Sequence, residues 1–190
     1  HLKDKGVELK TGVSASAIED QGKTVLLSSQ ERIAADLILA ACGVRPNTRL
    51  AKKAGIPLGS TGAIAVNQRM QTGIKKIYAA GDCAESFHRI TGKPLYRPMG
   101  STANKTGRIA GDAVSGGTLS FQGVLGTAIF KCFDLAVGLC GLSEAEAKAA
   151  GFKTETLHLI RPAFSEVFPH SSEITIKVVA DRRRGRLLGA

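Results

Sequence analysis

A glycine and a carboxylate follow directly on an apolar run near the middle of the chain. Residues 77–80 (Ile-Tyr-Ala-Ala) lead into Gly81 and Asp82. We expect the apolar run to be a strand, and open α/β sheets bind ligands beyond the carboxyl ends of their strands. Gly81 lacks a Cβ, so a ligand can approach the backbone, and Asp82 offers two acceptor oxygens. The pair predicts a site for a ligand that carries hydroxyl groups.

A second candidate site begins at Met99, Gly100 and Ser101. Small and apolar residues recur behind it at helical spacing: Ala103, Thr106, Ala110 and Ala113. This spacing predicts a helix, with Ser101 or Thr102 as its N-cap. The positive end of the helix dipole would favour an anionic group there.

Other elements must position these two sites. A continuous apolar run at 37–42 predicts a strand covered on both faces, broken afterwards by a glycine and a proline. We expect a short helix over 49–55 that ends at a glycine. A strand over 62–67 then leads to Thr72, which we expect to shape the approach to the strand at 77–80.

The two ends of the chain have strand-like patterns. Near the start, residues 7–9 and 24–27 predict short strands, with a turn at Gln21-Gly22. A Gly-Gly pair at 116–117 is the best domain boundary. Beyond it, residues 127–139 hold strand-like apolar side chains.

The region after 140 predicts one capped helix between strands. Ser143 and Glu146 form a capping-box pattern, and Gly151 is expected to end the helix. Strands are predicted over 154–160 and 174–178, and a turn at 181–185 leads back to Leu187-Leu188. Such a small sheet must hide its remaining apolar face, and a two-fold dimer is the commonest solution. The aromatic residues assigned to that interface are Phe121, Phe130, Phe133, Phe164 and Phe168.

Two of these segments resemble a known family. Residues 71–82 resemble the second flavin-binding motif of the pyridine nucleotide-disulfide oxidoreductases. Residues 97–108 are similar to the helix of that family whose N-terminus faces the flavin pyrimidine edge. The string Gly-Ser-Thr-Ala-Asn-Lys at 100–105 looks like the branch of NADH oxidases, NADH peroxidases and coenzyme A-disulfide reductases.

The resemblance implies FAD as the bound cofactor and NAD(P)H as the electron donor. It makes Gly81, Asp82, Met99, Gly100 and Ser101 the flavin-binding residues, with Asp82 on the ribityl chain. Electrons would pass from nicotinamide through flavin to a disulfide, persulfide or oxygen-type acceptor, so the substrate would be a small molecule or a thiol or disulfide. No catalytic residue is assigned. The alternative is a non-enzymatic dimerisation module without cofactor.

The resemblance also implies a fold of α/β plus α+β class. A partial Rossmann-like FAD/NAD(P)-binding domain would precede a C-terminal antiparallel-sheet dimerisation domain. We expect 1–43 to be the tail of the NAD(P)-binding domain, 44–117 the end of the FAD-binding domain, and 118–190 a truncated dimerisation domain. The family's G-x-G-x-x-G turn and redox cysteine are missing, so we expect a C-terminal fragment of a homodimeric enzyme.

One loop of the chain departs from the pattern of that branch. The family's partner-facing tyrosine and histidine would fall near Phe168 and His170. Phenylalanine has no hydroxyl, so an acid role is excluded at that position. The histidine is out of register, and a surface position is the simpler interpretation.

Charge and cysteine content exclude other classes. The net charge is +10 over 190 residues, but the basic residues are scattered apart from a cluster at 182–186, so nucleic acid is not an expected partner. The four cysteines have neither metal-binding nor disulfide-scaffold spacing. This pattern suits a reducing, cytoplasmic location. No apolar run reaches 18 residues, so no membrane span is expected.

Overall fold

A computed structural model describes residues 1–165 and 172–190, which fall into two units, His1–Val44 and Arg45–Ala190. The first unit is built on an antiparallel sheet in the order β1-β2-β3. Its strands are β1 (Ala15–Glu19), β2 (Thr24–Leu27) and β3 (Arg32–Ala34). The turn between β1 and β2 has positive φ at Gln21 and Gly22, 56° and 92°. The predicted turn and the predicted strand at 24–27 are both confirmed.

Two predicted strands of the first unit are wrong. Residues 7–9 and 37–42 have no strand pairing with the described residues. Leu37 and Leu39 are 85% and 87% exposed, and Cys42 is exposed as well. A strand exists only through its ladder partners, so an apolar run without a paired neighbour stays irregular.

The second unit starts with a short helix and a series of turns. Helix α1 (Arg49–Lys53) is followed by Gly55 at φ +71°, which confirms the predicted helix with its glycine stop. The predicted strands at 62–67 and 77–80 are wrong, because each segment makes only isolated bridges. Ile64 bridges Leu58 and Ala84, and Tyr78 bridges Gln71.

A hairpin and a long helix follow these turns. Strands β4 (Ser86–Phe87) and β5 (Pro94–Leu95) pair antiparallel. Helix α2 (Gly100–Val114) buries Thr102, Thr106 and Ala113 on one face. This burial agrees with the predicted helical spacing of its small residues.

The C-terminal region is built from antiparallel strands and one helix. Strands β6 (Ala128–Cys132) and β7 (Leu135–Leu139) form a hairpin, and α3 (Glu144–Ala149) follows. A further sheet, in the order β10-β9-β8, consists of β8 (Thr154–Pro162), β9 (Glu173–Asp181) and β10 (Arg186–Gly189). The predicted capping box is confirmed, since Glu146 N–H donates to Ser143 Oγ at 3.2 Å and Ser143 N–H to Glu146 Oε2 at 2.8 Å.

The core of this region lies between α3 and the sheet. Its buried side chains are Leu142, Ala147, Val179 and Leu188, with Ile90 and Phe152 packed at the edge. Lys177 lies on the same face of β9 as Val179, and its Nζ is 2.7 Å from Glu144 Oε2 at the start of α3. The helix therefore covers the face of the sheet that carries Val179.

The opposite face of the β8-β9 ladder is apolar and open. Register pairs Leu157 with Val178 and Leu159 with Ile176, on the face away from α3. Leu157, Ile174 and Ile176 are 55%, 44% and 38% exposed.

The aromatic residues assigned to the interface behave differently from one another. Phe121 is only 4% exposed and fills the chain's own core, so its assignment is wrong. Phe130, Phe133 and Phe164 are exposed, while Phe168 lies outside the described residues.

The mixed α/β architecture with antiparallel sheets confirms the expected fold class. No helix within 1–165 or 172–190 is long and apolar enough to cross a bilayer. The boundaries predicted at 43 and 117 stay predictions.

Candidate functional site

The first predicted site lies on a short 3₁₀ turn, Gly81–Cys83. Gly81 has φ +75°, a conformation that favours glycine. The turn closes with a hydrogen bond from Ala84 N–H to the Gly81 carbonyl at 3.1 Å. Asp82, the second residue of the turn, is exposed. The carboxylate is therefore held at the surface by a turn that its glycine neighbour makes possible.

Thr106 ties this turn to α2. The Gly81 N–H donates to Thr106 Oγ1 at 3.0 Å, and that hydroxyl lies 2.9 Å from the Thr102 carbonyl. A Cβ on Gly81 would lie only 3.6 Å from Ala103 Cβ. The Gly81–Cys83 turn is thus packed against the first two turns of α2, and the two predicted sets of site residues lie on adjoining elements.

The start of α2 differs from the predicted cap. Met99 is the N-cap residue, with φ −147° and ψ 136° and no side-chain cap hydrogen bond. Ser101 and Thr102 lie within the helix, so the prediction that one of them caps it is wrong; the backbone leaves the extended conformation earlier, at Gly100. The N–H groups at a helix start lack intrahelical acceptors. Gly100 and Ser101 are exposed, so their N–H groups face solvent or a ligand.

Tyr96 is a residue that the sequence did not single out. Burial raises the pKa of its phenol, and the negative charges of Asp82 and Cys83 raise this pKa further. Tyr96 therefore keeps its proton through the neutral range and is available as a hydrogen-bond donor near Asp82. The sequence signal was weak: a tyrosine a few residues before a predicted helix.

A buried carboxylate, Glu85, lies just after the Gly81–Cys83 turn and was also missed from the sequence. It is 6% exposed and accepts hydrogen bonds from Thr61 N–H at 2.9 Å and Thr61 Oγ1 at 2.8 Å. The backbone around it is fixed by Glu85 N–H to the Ile64 carbonyl at 2.9 Å. Thr61 and Glu85 are 24 residues apart, so no local pattern could have revealed the pair.

Thr72 lies in the turn that precedes residues 77–80, and the predicted strand whose approach it was expected to shape is not formed there. It is 7% exposed, and its N–H donates to the Ile77 carbonyl at 2.9 Å. Its hydroxyl accepts from Ile74 N–H at 3.2 Å. These bonds close the turn that delivers the chain to Gly81.

A cationic cleft opens beside the start of α2. Its volume is about 180 Å³, and its lining includes Arg89, Arg97 and Lys105 together with Met99 and Ser101. Arg89 lies in the loop of the β4-β5 hairpin, Arg97 lies between β5 and α2, and Lys105 lies in α2, so the sequence showed only scattered basic residues.

The cysteines take no part in a disulfide or an identified metal site. All four cysteines are reduced, and Cys83 Sγ lies 3.4 Å from the Ala80 carbonyl. No group of three His, Cys, Asp or Glu is placed to hold a metal ion in the part of the chain that the structure describes. His170 lies outside the described residues.

Comparisons with known proteins cover nearly the whole chain. The family model described as pyridine nucleotide-disulphide oxidoreductase matches residues 1–105, and that of the family's dimerisation domain matches 127–190. The chain is 40% identical over 177 residues to a CoA-dependent NAD(P)H sulfur oxidoreductase of Pyrococcus furiosus, a match covering 88% of this chain and 40% of that protein. It is 34% identical over 194 residues to an NADH oxidase of Streptococcus pneumoniae, covering 100% of this chain and 42% of that protein.

Solved structures agree in fold. A NAD-dependent persulfide reductase from A. fulgidus superposes with a TM-score of 0.93 at 37% identity, covering 100% of this chain and 35% of that one. A water-forming NADH oxidase from Lactobacillus brevis superposes with a TM-score of 0.90 at 26% identity, covering 99% of this chain and 42% of that one. The chain thus spans about two fifths of the length of the curated relatives that it matches.

Proposed function

Because the chain belongs to the pyridine nucleotide-disulphide oxidoreductase family, we propose that it forms one wall of an FAD site. The enzyme would pass electrons from NAD(P)H through flavin to a disulfide, persulfide or oxygen-type acceptor. The observation that carries this proposal is the 3.0 Å bond from Gly81 N–H to Thr106 Oγ1. That bond fixes the exposed carboxylate of Asp82 beside the uncapped start of α2.

The residues of this wall fit the chemistry of a flavin. Gly81 supplies the left-handed backbone of the turn, and Asp82 offers acceptors for the hydroxyls of a ribityl chain. The exposed N–H groups at Gly100 and Ser101 suit the pyrimidine edge, which becomes anionic on reduction. When bound, FAD supplies the hydride and electron chemistry. The residues named here bind and orient it, and we assign no catalytic acid, base or nucleophile among them.

Replacing the carboxylate tests this function. In a flavin-loaded protein that contains this chain, Asp82→Ala removes acceptors for the ribityl hydroxyls. A hydrogen bond to a charged group contributes about 1.5–3 kcal/mol, which corresponds to roughly ten- to a hundred-fold weaker FAD binding. The readout is the FAD dissociation constant, measured from flavin fluorescence on dilution. The matched control is Asp36→Ala, an exposed aspartate of the first unit. Equal FAD affinity in the two variants would contradict the proposal.

We further propose that two copies of the chain associate through the open face of the β8-β9 ladder. The support is the apolar strip of Leu157, Ile174 and Ile176 on the side away from α3. Leu157→Glu should convert a dimer into a monomer in light scattering at tens of micromolar. Thr175→Glu, which places the same charge on the other face, should leave the dimer intact. A monomeric unsubstituted chain would refute the interface.

Narrower expectations stay predictions. The comparisons name both sulfur reductases and oxidases among the relatives, and the acceptor of this protein is proposed only as a class. A cytoplasmic location is predicted from the cysteine pattern of the sequence alone.

A further inference from the structure

The cationic cleft beside α2 shares Met99 and Ser101 with the proposed flavin-binding residues. Its lining combines Arg89 and Arg97 with Lys105 of α2 and the loop at 123–127. Neither Gly81 nor Asp82 lines it. Its volume of about 180 Å³ equals that of roughly six water molecules. That is below the roughly 300–1,000 Å³ of sites that enclose a whole small molecule, so the cleft suits a single small group.

Two glycines of the 123–127 loop seat the arginines. A Cβ on Gly126 would lie 3.1 Å from Arg97 Nη2, while one on Gly123 would first meet the backbone carbonyl oxygen of Phe87 and would also lie 3.2 Å from Arg89 Cγ. Both glycines have positive φ, 70° and 83°. The loop is therefore shaped so that the arginine side chains pack directly against its backbone.

One donor in the cleft lacks a partner. The Nε of Arg97 is shielded from solvent, and it has no hydrogen-bond acceptor among residues 1–165 and 172–190. A buried donor without an acceptor is costly, and native structures usually satisfy such groups. This unpaired donor is the feature of the cleft that calls for an acceptor from outside the chain.

The positive charge of the cleft is not balanced locally. Within the described part of the chain, Arg89, Arg97 and Lys105 form no ion pair. Glu146 is the acid within electrostatic reach of Arg97. Its pKa is lowered first by hydrogen bonds from Ser143 and only then by the charge of Arg97. The capping box thus occupies that carboxylate, and three cations line one small cleft.

We propose that this cleft binds a single phosphate group, either as free phosphate or as the end of a nucleotide. Guanidinium groups recognise tetrahedral oxoanions through several charge-assisted hydrogen bonds, and lysine adds a point charge. The phosphate site would consist of Arg89, Arg97 and Lys105, none of which is among the proposed flavin-binding residues.

The test is a titration of the 190-residue chain with inorganic phosphate, ADP and adenosine, followed by calorimetry at low ionic strength. We expect Arg97→Met and Lys105→Met each to weaken phosphate binding about tenfold, because each removes a charge-assisted contact. The control is Arg182→Met, which removes one exposed charge from the β9-β10 turn and should change binding less than twofold. Lys105 is exposed, so its variant tests the site even if Arg97→Met fails to fold.

Each outcome decides the proposal. Binding of phosphate but not of ADP identifies a site for the free anion. Tighter binding of ADP than of phosphate, with no binding of adenosine, identifies the end of a nucleotide. Equal binding of ADP and adenosine would overturn the site. So would the absence of binding up to about 10 mM phosphate, or an equal loss of phosphate affinity in Arg182→Met. Retention or loss of FAD in Asp82→Ala has no bearing on this result.

Discussion

The backbone polar groups are hydrogen-bonded in different ways in the region around Gly81 and in the C-terminal region from 127 onwards. Around Gly81, single bridges and individual side chains such as Thr72, Glu85 and Thr106 satisfy the backbone. From β6 onwards, continuous antiparallel ladders do so, and a small apolar core lies under α3. A ladder contains many equivalent hydrogen bonds, whereas each polar side chain around Gly81 makes a hydrogen bond that no neighbouring side chain duplicates. We therefore expect loss of a hydroxyl to matter in the first region and loss of core volume in the second.

The largest effect should come from the core of the C-terminal region. Leu188 is 1% exposed and packs with Leu142, Ala147 and Val179. Leu188→Ala should lower the free energy of unfolding by about 2–5 kcal/mol, since it removes buried methyl groups and leaves a cavity. Urea denaturation measures this change. The neighbouring Leu187 is 60% exposed, and Leu187→Ala should change stability by no more than about 0.5 kcal/mol. Equal losses would show that the core has been placed wrongly.

A hydroxyl deletion in each region sharpens the comparison. Thr106→Val keeps the shape of the side chain but leaves the Gly81 N–H without its acceptor, which should cost about 1–3 kcal/mol. Thr175→Val removes a hydroxyl from an exposed position of β9 and should have almost no effect. The comparison breaks if Thr175→Val costs as much as Thr106→Val in the same urea experiment.

Among the residues of the C-terminal region that the structure describes, we expect the loss of a single hydroxyl to matter at the capping box. Ser143→Ala removes the acceptor for Glu146 N–H and should cost about 1 kcal/mol. Ser60, an exposed serine in the turn region, provides the matched control. Equal unfolding temperatures for Ser143→Ala and Ser60→Ala would contradict a stabilising role of the helix cap.

The smallest effect is an acid dependence of the contact between α3 and β9. Hydrogen bonds from Lys148 and then Lys177 lower the pKa of Glu144 to about 2 from its ordinary 4.5. A carboxyl whose folded pKa is depressed stabilises the fold above its unfolded pKa, and this stabilisation is lost as pH falls through the folded value. The contribution should therefore be complete above pH 4.5 and fade toward pH 2. Glu144→Gln should flatten stability over that window, and an unchanged pH profile would contradict the assignment.

The sequence predicted those elements whose determinants are local. The capping box at Ser143, the helix stop at Gly151 and the turn at 181–185 depend on residues only a few positions apart. Gly81 and Asp82 were found because strand-like residues lead into a Gly-Asp pair. The strand predicted at 77–80, which led to this pair, is not part of the fold. The pair lies on a turn instead.

What the sequence could not predict depends on distant contacts. The runs at 37–42 and 62–67 are apolar enough for strands but lack continuous partners within the described chain. The bond from Gly81 to Thr106 spans 25 residues, and the cationic cleft joins a hairpin to a helix. Local sequence patterns cannot predict either this hydrogen bond or this cleft. The N-cap was misplaced because two good capping residues, Ser101 and Thr102, lie one and two positions beyond the first helical residue, Gly100.

The central claim is that Gly81, Asp82 and the start of α2 form one flavin-facing wall. The most direct test is a heteronuclear NMR titration of the 190-residue chain with FAD at up to millimolar concentration, a range that detects weak binding. We expect the amide signals of Gly81, Asp82, Gly100 and Ser101 to shift and those of β8 and β9 to stay unchanged. Shifts confined to β8 and β9, or an unchanged spectrum at the highest FAD concentration, would contradict this claim.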